Sequence, residues 1–348
     1  MLPGRPPQLV YLDMLGWINM AEVHAGNAAP DGYDRLLETC RRGRAEGRAL
    51  FPLSSTTAVE LYDIRDPERR KARVAIMEQL SGFNYLLGRP QIQQLEVEAA
   101  LNQIPGVKIK PQGPISLIGP SLLWSFGRRG GLVTNVPDPD AAARHLCQEF
   151  GIDPGDNAWA ALERWAEREI LTGPDDEEDP ELISAGYDPD KWRDTLQQRA
   201  QQEQNLVTEL DADPKLRQGR LRDVINAREL SIELIEVITK LMMAMGTSIG
   251  ALLDNRGKLR DFTDGMPSTR VAASLKTIYH KNNKHVWTSN DIHDIDALAI
   301  AVPYCDCVFT DKAVRDKVIS CRELDIFQTE MPRKPGDLAD WLDKQPAP

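Results

Sequence analysis

This sequence has few cysteines, no long apolar run and no excess of basic residues. Five cysteines among 348 residues do not make a disulfide framework. The longest strongly apolar run is LMMAMGTSIGALL, between Lys240 and Asp254. It is shorter than the roughly 20 residues that a membrane-spanning helix needs. The N-terminal segment MLPGRPPQ lacks the charged-then-apolar order of a signal peptide. We therefore expect a soluble, cytoplasmic protein with no membrane partner.

The charge balance argues against one broad class of function. A formal net charge of −11 is unlike that of proteins that coat nucleic acid, which are basic overall. Net charge does not exclude a local basic site, because screening limits its reach to about 10 Å. One local basic cluster is HKNNKH, at residues 280–285. The remaining composition, 41% hydrophobic and 27% charged, is typical of a folded globular chain.

Apolar patterning predicts α/β structure at both chain ends and helices between them. QLVYLD, ALFPLS, YCDCVFT and LDIFQT have the composition of short strands, and helical segments follow the first three. SNDIHDIDALAIAVP is predicted as a helix capped by Asn290 and ended by Pro303, and RLRDVINARELSIELIEVITKLMMAMG as one long helix. We predict a discontinuous α/β domain over 8–90 and 266–330, a mainly helical insertion over 91–265 and a C-terminal tail over 331–348.

Four acidic residues follow or neighbour the predicted strands. Asp13 ends the first strand, Glu60 lies one turn after the second, and Asp311 directly follows the third. Asp294 is placed in the first turn of the helix that precedes the third strand. Ligands of an open parallel sheet bind beyond the carboxyl ends of its strands. We therefore expect these four acids at one edge of the sheet.

Each acid also has a purely structural explanation. The segment TAVE, which ends at Glu60, matches a capping box. Asp291 and Asp294 would be favoured in a helix first turn by the helix dipole, at about 0.3–1 kcal/mol each. Asp311 suits the N-cap of the helix after it. Asp13 has the weakest explanation of this kind, because an acid that closes an apolar strand gains nothing obvious.

The ordered acids and the segments around them resemble the motifs of PIN-domain ribonucleases. VYLDMLGWINMA is similar to the family's first strand with its closing acid, and STTAVEL to its S-x-T-x-x-E-L segment. DIDALAIAVPYCD resembles the helix that opens with an acid before A-L-x-x-A, and VFTDKAVRD the T-D that follows a late strand. The resemblance covers the two chain ends and is closest to PIN-like proteins of bacterial toxin or defence type.

The resemblance implies a PIN-like three-layer α/β fold, with a mainly parallel sheet assembled from both chain ends and a large helical insertion. It implies a metal-dependent endoribonuclease that hydrolyses phosphodiester bonds of RNA, with DNA left open as a substrate. Mg²⁺ or Mn²⁺ is the expected cofactor, because both ions prefer carboxylate oxygens and water and can activate water for an in-line displacement. An antitoxin or regulatory protein is a candidate partner, and oligomerisation is left open.

The predicted site contains two sets of residues. The predicted catalytic residues are Asp13, Glu60, Asp294 and Asp311. Asp291 and Asp296 are alternates for the third acid, since Asp296 directly precedes ALAIA whereas Asp294 shares a helix face with Asp291. All six acids are candidate metal ligands. Basic residues that lead into the acidic helix are expected to contact nucleic-acid phosphates: Arg270, Lys276, His280, Lys281 and Lys284.

Two further explanations stay open. Met14 and Leu15 follow Asp13, where the PIN family usually has a small hydroxyl or amide residue. This departure leaves a catalytically inactive PIN-like module, which binds nucleic acid or protein, as the alternative function. Cys305 and Cys307 form a C-x-C pair, a weak zinc signature. Both sulfurs face one side of a strand, where the core is favoured.

Overall fold

The computed structural model describes residues 6–110, 113–128, 135–188, 190–246 and 248–347. Two units make up the chain. Unit 1 comprises Met1–Gly88, Ser116–Pro189 and Pro332–Pro348, and unit 2 comprises Arg89–Ile115 and Asp190–Met331. This division differs from the predicted one, because residues 266–330 group with the helices before them and the C-terminal segment groups with residues 1–88.

Unit 1 consists of short strands and helices of mixed length. Its first strand is formed by QLVYL, in which Val10, Tyr11 and Leu12 are buried. Its elements are β1 Gln8–Leu12, α1 Met14–His24, α2 Tyr33–Ala45, β2 Ala49–Leu50, α3 Ser55–Tyr62, α4 Pro67–Ser81, β3 Tyr85–Leu86, β4 Ile118–Gly119, α6 Leu122–Ser125, α7 Pro139–Glu149, α8 Ala158–Thr172, α9 Pro180–Ser184 and α19 Pro335–Asp343.

Unit 2 is almost entirely helical. Its α-helices and strand are α5 Arg89–Asn102, α10 Asp190–Ala212, α11 Pro214–Arg217, α12 Leu221–Arg228, α13 Ile235–Met245, α14 Ile249–Leu252, α15 Arg256–Asp264, α16 Pro267–Lys281, α17 Ser289–Tyr304, β5 Cys307–Phe309 and α18 Lys312–Ser320. A π-helical turn, Glu229–Glu233, and a 3₁₀ helix, Arg322–Phe327, complete it. Across both units, the predicted middle segment, residues 91–265, is mainly helical, as expected, although it also contains β4.

A small parallel sheet with the strand order β2–β1–β5 joins both chain ends. β1 pairs with β2 in parallel, with Gln8 opposite Ala49 and Leu9 opposite Leu50. The strands are buried apolar runs, as parallel strands generally are. The fold is therefore mainly helical α/β, and its sheet draws on both ends of the chain as predicted. A separate antiparallel pair joins β3 to β4.

Three local predictions were wrong. LDIFQT forms no strand, because RELDIF is a 3₁₀ helix. The predicted long helix is interrupted by the π-turn between α12 and α13. The predicted tail contains α19, whose Leu338 and Leu342 are buried. Two ion pairs tie α19 to α2: Arg35 Nη2 lies 2.6 Å from Asp340 Oδ1, and Arg42 Nη2 lies 2.5 Å from Asp343 Oδ1.

Helix α17, which carries three of the predicted acids, begins and ends differently from its prediction. Thr288, not Asn290, is its N-cap, because the Thr288 and Asp291 side chains each bond the other's backbone N–H in a capping box. Pro303 lies inside the last turn, and the helix runs on to Tyr304. Both errors concern helix ends, where several neighbouring residues have side chains that could end or cap the helix.

Within the described part of the chain, no helix is both long and apolar enough to cross a membrane. The N-terminal segment on which the signal-peptide expectation depends begins outside the described residues. Cys305 and Cys307 are buried and form no disulfide among the described residues, although only Cys307 lies on a strand.

Candidate functional site

In unit 1, two of the predicted acids act electrostatically on one buried phenol. Asp13 follows β1 directly and is the N-cap of α1, where its Oδ1 accepts a hydrogen bond from Met14 N at 2.8 Å. Burial, followed by the nearby carboxylates of Asp13 and Glu60, raises the pKa of the Tyr11 hydroxyl. Asp13 and Glu60 are each partly exposed. The two carboxylates therefore act on the same region of unit 1, and both are accessible to solvent.

A hydroxyl cluster from the STTAVEL segment lies beside the same phenol. Ser54 Oγ is 2.7 Å from Thr56 Oγ1 and 2.9 Å from Thr57 Oγ1, and Thr56 Oγ1 is 3.4 Å from the Tyr11 hydroxyl. Ser54 is the N-cap of α3, since it accepts a hydrogen bond from Thr57 N. The capping-box explanation of Glu60 was therefore wrong, because that box requires Thr57 as the N-cap.

In unit 2, three of the predicted acids act electrostatically on a second buried phenol. Burial, then the carboxylates of Asp291, Asp294 and Asp311, raises the pKa of the Tyr279 hydroxyl. All three acids are partly exposed. Asp294 lies beyond the first turn of α17, so the dipole explanation applies to Asp291 and not to Asp294. The phenol is protonated at neutral pH and can donate a hydrogen bond.

Helix caps hold two of these carboxylates in fixed orientations. Asp311 is the N-cap of α18, as predicted: its Oδ1 accepts from Ala313 N at 2.7 Å and from Val314 N at 3.3 Å. Within the described chain, Asp311 Oδ2 accepts no hydrogen bond. Asp291 Oδ2 accepts from both the N–H and the hydroxyl of Thr288, each at 2.8 Å, and lies 3.2 Å from His285 Nε2. Capping and ligand binding can therefore coexist on one carboxylate.

Asp296, the alternate third acid, lies in a different environment from Asp294. Arg199 contacts it through two nitrogens, with Nη1 at 2.5 Å from Oδ2 and Nη2 at 3.0 Å from Oδ1, and Arg89 Nη1 also bonds Oδ1. Burial alone would raise the pKa of Asp296, but the two guanidinium groups hold it well below its usual range. Because two cations engage the oxygens of Asp296, Asp294 stays the predicted third acid.

A buried ion-pair cluster in unit 2 surrounds Lys276, which is only 3% exposed. Its Nζ lies 2.6 Å from Glu229 Oε1, 3.0 Å from Glu203 Oε1 and 3.7 Å from Glu233 Oε1. Burial opposes the charged form, but these carboxylates raise the pKa of Lys276 above its ordinary value. His280, which is fully buried, places Nε2 2.9 Å from Glu203 Oε2.

This cluster corrects two of the five predicted phosphate contacts. Lys276 and His280 are paired and buried, so neither can reach a nucleic-acid backbone. Arg270 is half-buried, and its Nε donates to the carbonyl oxygen of Glu323 at 3.0 Å. Lys281 and Lys284 are exposed. The error arose because helix α16 has cations on its buried face, which a sequence pattern does not distinguish from a solvent-exposed face.

The cluster predicts a specific loss of stability in acid. Burial would raise the pKa of Glu203, but His280 and Lys276 lower it to about 2. Because the pKa of Glu203 is lower in the folded chain than in the unfolded chain, its ionised carboxylate stabilises the fold at pH values above the unfolded pKa of about 4.3. This contribution, up to roughly 3 kcal/mol, is lost as the pH falls toward 2. We expect the unfolding free energy, measured in urea, to fall over this interval. Glu203→Gln should be less stable at pH 7 and have a shallower slope; an unchanged slope would contradict the assignment.

The donor chemistry of these acids fits a hard divalent cation. No group of three or more His, Cys, Asp and Glu side chains in the described ranges is arranged so that it could hold a metal ion alone. Mg²⁺, however, keeps several waters and is commonly bound through one or two carboxylates plus substrate phosphates. Asp311 offers an oxygen without a hydrogen bond from the described residues, as such a ligand requires. The candidate metal ligands are Asp13 and Glu60 in unit 1 and Asp291, Asp294 and Asp311 in unit 2.

Sequence reasoning missed the groups that surround these acids. Tyr11 and Tyr279 were taken only as parts of a strand and a helix, yet each lies among the carboxylates of its unit. His285 contacts Asp291, and the Lys317 ammonium lies 4.6 Å from the centroid of the Tyr279 ring. The available signal for Tyr11 was its position two residues before Asp13. His285 and Lys317 carried no comparable signal, because only folding brings them to Tyr279.

Comparisons with protein-family models, with curated proteins and with solved structures found no match for this chain.

Proposed function

We propose that this chain is a PIN-like endoribonuclease with a three-layer fold, which hydrolyses phosphodiester bonds of RNA with the help of Mg²⁺ or Mn²⁺. The observation that carries the proposal is the parallel pairing of β1 with β2 in unit 1, together with an acid placed at or just after the end of a strand in each unit. Asp13 follows the last residue of β1, and Asp311 follows β5 after one intervening residue. Within unit 1, the carboxyl ends of β1 and β2 share a sheet edge, which is where ligands bind in open α/β sheets.

The proposed roles follow from the surroundings of each side chain. Asp13, Glu60, Asp294 and Asp311 are the proposed catalytic residues, and all four are partly exposed. The chemistry that a bound divalent ion supplies is activation of water and stabilisation of charge on the phosphate oxygens. The cap hydrogen bonds hold the Asp13 and Asp311 carboxylates in place before substrate arrives, which limits the reorganisation needed for reaction.

The direct test combines cleavage with metal binding. Purified protein is expected to cut single-stranded RNA in Mg²⁺ or Mn²⁺ and to stop when EDTA removes the ion. Asp311→Asn keeps a residue that caps helices as well as Asp does, so the fold should persist while calorimetric Mn²⁺ binding weakens and cleavage is lost. Wild-type protein that binds no divalent ion and cuts no RNA would overturn the proposal. Metal binding without cleavage would favour the inactive PIN-like module instead.

A further inference from the structure

Four lysines of unit 2 lie in the segments that adjoin its predicted acids. Lys281, Lys284 and Lys312 are exposed and Lys317 is half-buried. None of them pairs with a carboxylate among the described residues. By contrast, Arg222, Arg256 and Lys258 lie 2.7, 2.5 and 3.0 Å from carboxylate oxygens. The charge of the four lysines is therefore uncompensated locally.

The four lysines lie in segments of unit 2 that adjoin Tyr279 or the residues that act on it. The Lys317 ammonium lies 4.6 Å from the Tyr279 ring centroid. The His285 ring, next to Lys284 in the chain, has its centroid 4.7 Å from that of Tyr279. Lys281 follows Tyr279 by two residues, at the end of α16. Lys312 opens α18, directly after the cap residue Asp311. We call this set, Lys281, Lys284, Lys312 and Lys317, the lysine strip.

The strip borders carboxylates without being neutralised by them. Asp291 is engaged by Thr288 and His285, and Asp311 by the first N–H groups of α18. Cations without a carboxylate partner suit a ligand that carries regularly spaced negative charges. Oriented carboxylates nearby suit a ligand that is bound together with a metal ion. A nucleic-acid backbone has both properties, since its phosphates attract lysines and can complete the coordination of a divalent ion.

From these observations we infer that the lysine strip binds the sugar–phosphate backbone of single-stranded RNA without reading its bases. This inference rests on the proposed function and adds Lys312 and Lys317 to the predicted contacts Lys281 and Lys284. Lysine contacts to phosphates supply affinity and position but no sequence information. Each neutralised phosphate of a single strand contributes about −0.7 to the slope of log K against log salt concentration. Removing two strip lysines should therefore make that slope about 1.4 less steep.

The test measures RNA binding by fluorescence anisotropy over a range of KCl concentrations, in EDTA so that no cleavage occurs. Lys312→Gln/Lys317→Gln is compared with Lys108→Gln/Lys240→Gln, a control pair of exposed lysines in unit 2 with the same change in net charge. We expect weaker binding and a shallower slope only for the strip variant, equally for RNAs of different sequence. A wild-type slope in the strip variant, or equal losses in both variants, would overturn the inference.

The same proteins separate this inference from the proposed function. If the strip variant loses salt-dependent binding but wild-type protein cuts no RNA in Mg²⁺ or Mn²⁺, the lysine strip stands and the nuclease proposal falls. If wild-type protein cuts RNA but the strip variant binds as tightly as wild type at every salt concentration, the nuclease proposal stands and the strip falls. Wild-type protein that does not bind RNA would overturn the strip.

Discussion

Asp13→Asn is expected to reduce metal-dependent RNA cleavage by at least about 10³-fold, since a metal ion contributes several kcal/mol to charge stabilisation and each 1.36 kcal/mol is a factor of ten in rate. Asn removes the carboxylate charge that would hold the ion. It retains a side-chain oxygen for the N-cap bond to Met14 N, and Asn caps helices about as well as Asp. The loss should therefore appear in kcat while the urea midpoint changes little.

Asp31→Asn provides the matched control for this substitution. Asp31 is an exposed acid of the same unit, so the charge change is identical and no loss of cleavage is expected. Undiminished cleavage by Asp13→Asn would remove Asp13 from the catalytic set. A large drop in the urea midpoint would mean instead that Asp13 acts mainly as a helix cap, a role that the sequence analysis did not assign to it.

Lys276→Met should lower the unfolding free energy by about 3–5 kcal/mol, because removing one partner of a buried ion pair leaves the other charges uncompensated. Glu203 and Glu229 are both buried, and Lys276 Nζ is the cation that lies within 3.0 Å of each. Methionine fills a similar volume, so the loss would reflect charge rather than a cavity. Denaturation in urea, followed by circular dichroism, gives the difference directly.

The control for this prediction is Lys240→Met, which removes the same charge from an exposed position of α13 and should change the free energy of unfolding by less than about 0.5 kcal/mol. The Lys276 result also separates two roles for that residue. A phosphate contact would weaken RNA binding and leave stability unchanged, whereas a buried ion-pair partner would do the reverse. Unchanged stability in Lys276→Met would contradict the cluster described for unit 2.

Sequence patterns were most informative where a local signal had only one physical explanation. The run QLVYL predicted β1 because buried strands are short and apolar, and PERRKARVAIMEQLS predicted α4 from its proline and periodicity. Patterns failed where two different structures were equally compatible with the local sequence. Glu60 seemed to belong to a capping box, but Ser54 caps α3, since the helix begins earlier than the box requires. The RELDIF segment alternates like a strand yet forms a 3₁₀ helix.

Local sequence by itself determined that the chain has α/β ends, a helical middle and acids placed after its strands, because short-range periodicity and capping preferences depend only on neighbouring residues. Only the tertiary structure decided which charged residues are buried. Lys276, His280 and Asp296 were indistinguishable from exposed neighbours in the sequence, yet each is enclosed by residues far away in the chain. Burial and ion pairing depend on residues that are distant in the sequence. They distinguish the cations that stabilise the fold from those that are exposed and able to bind a ligand.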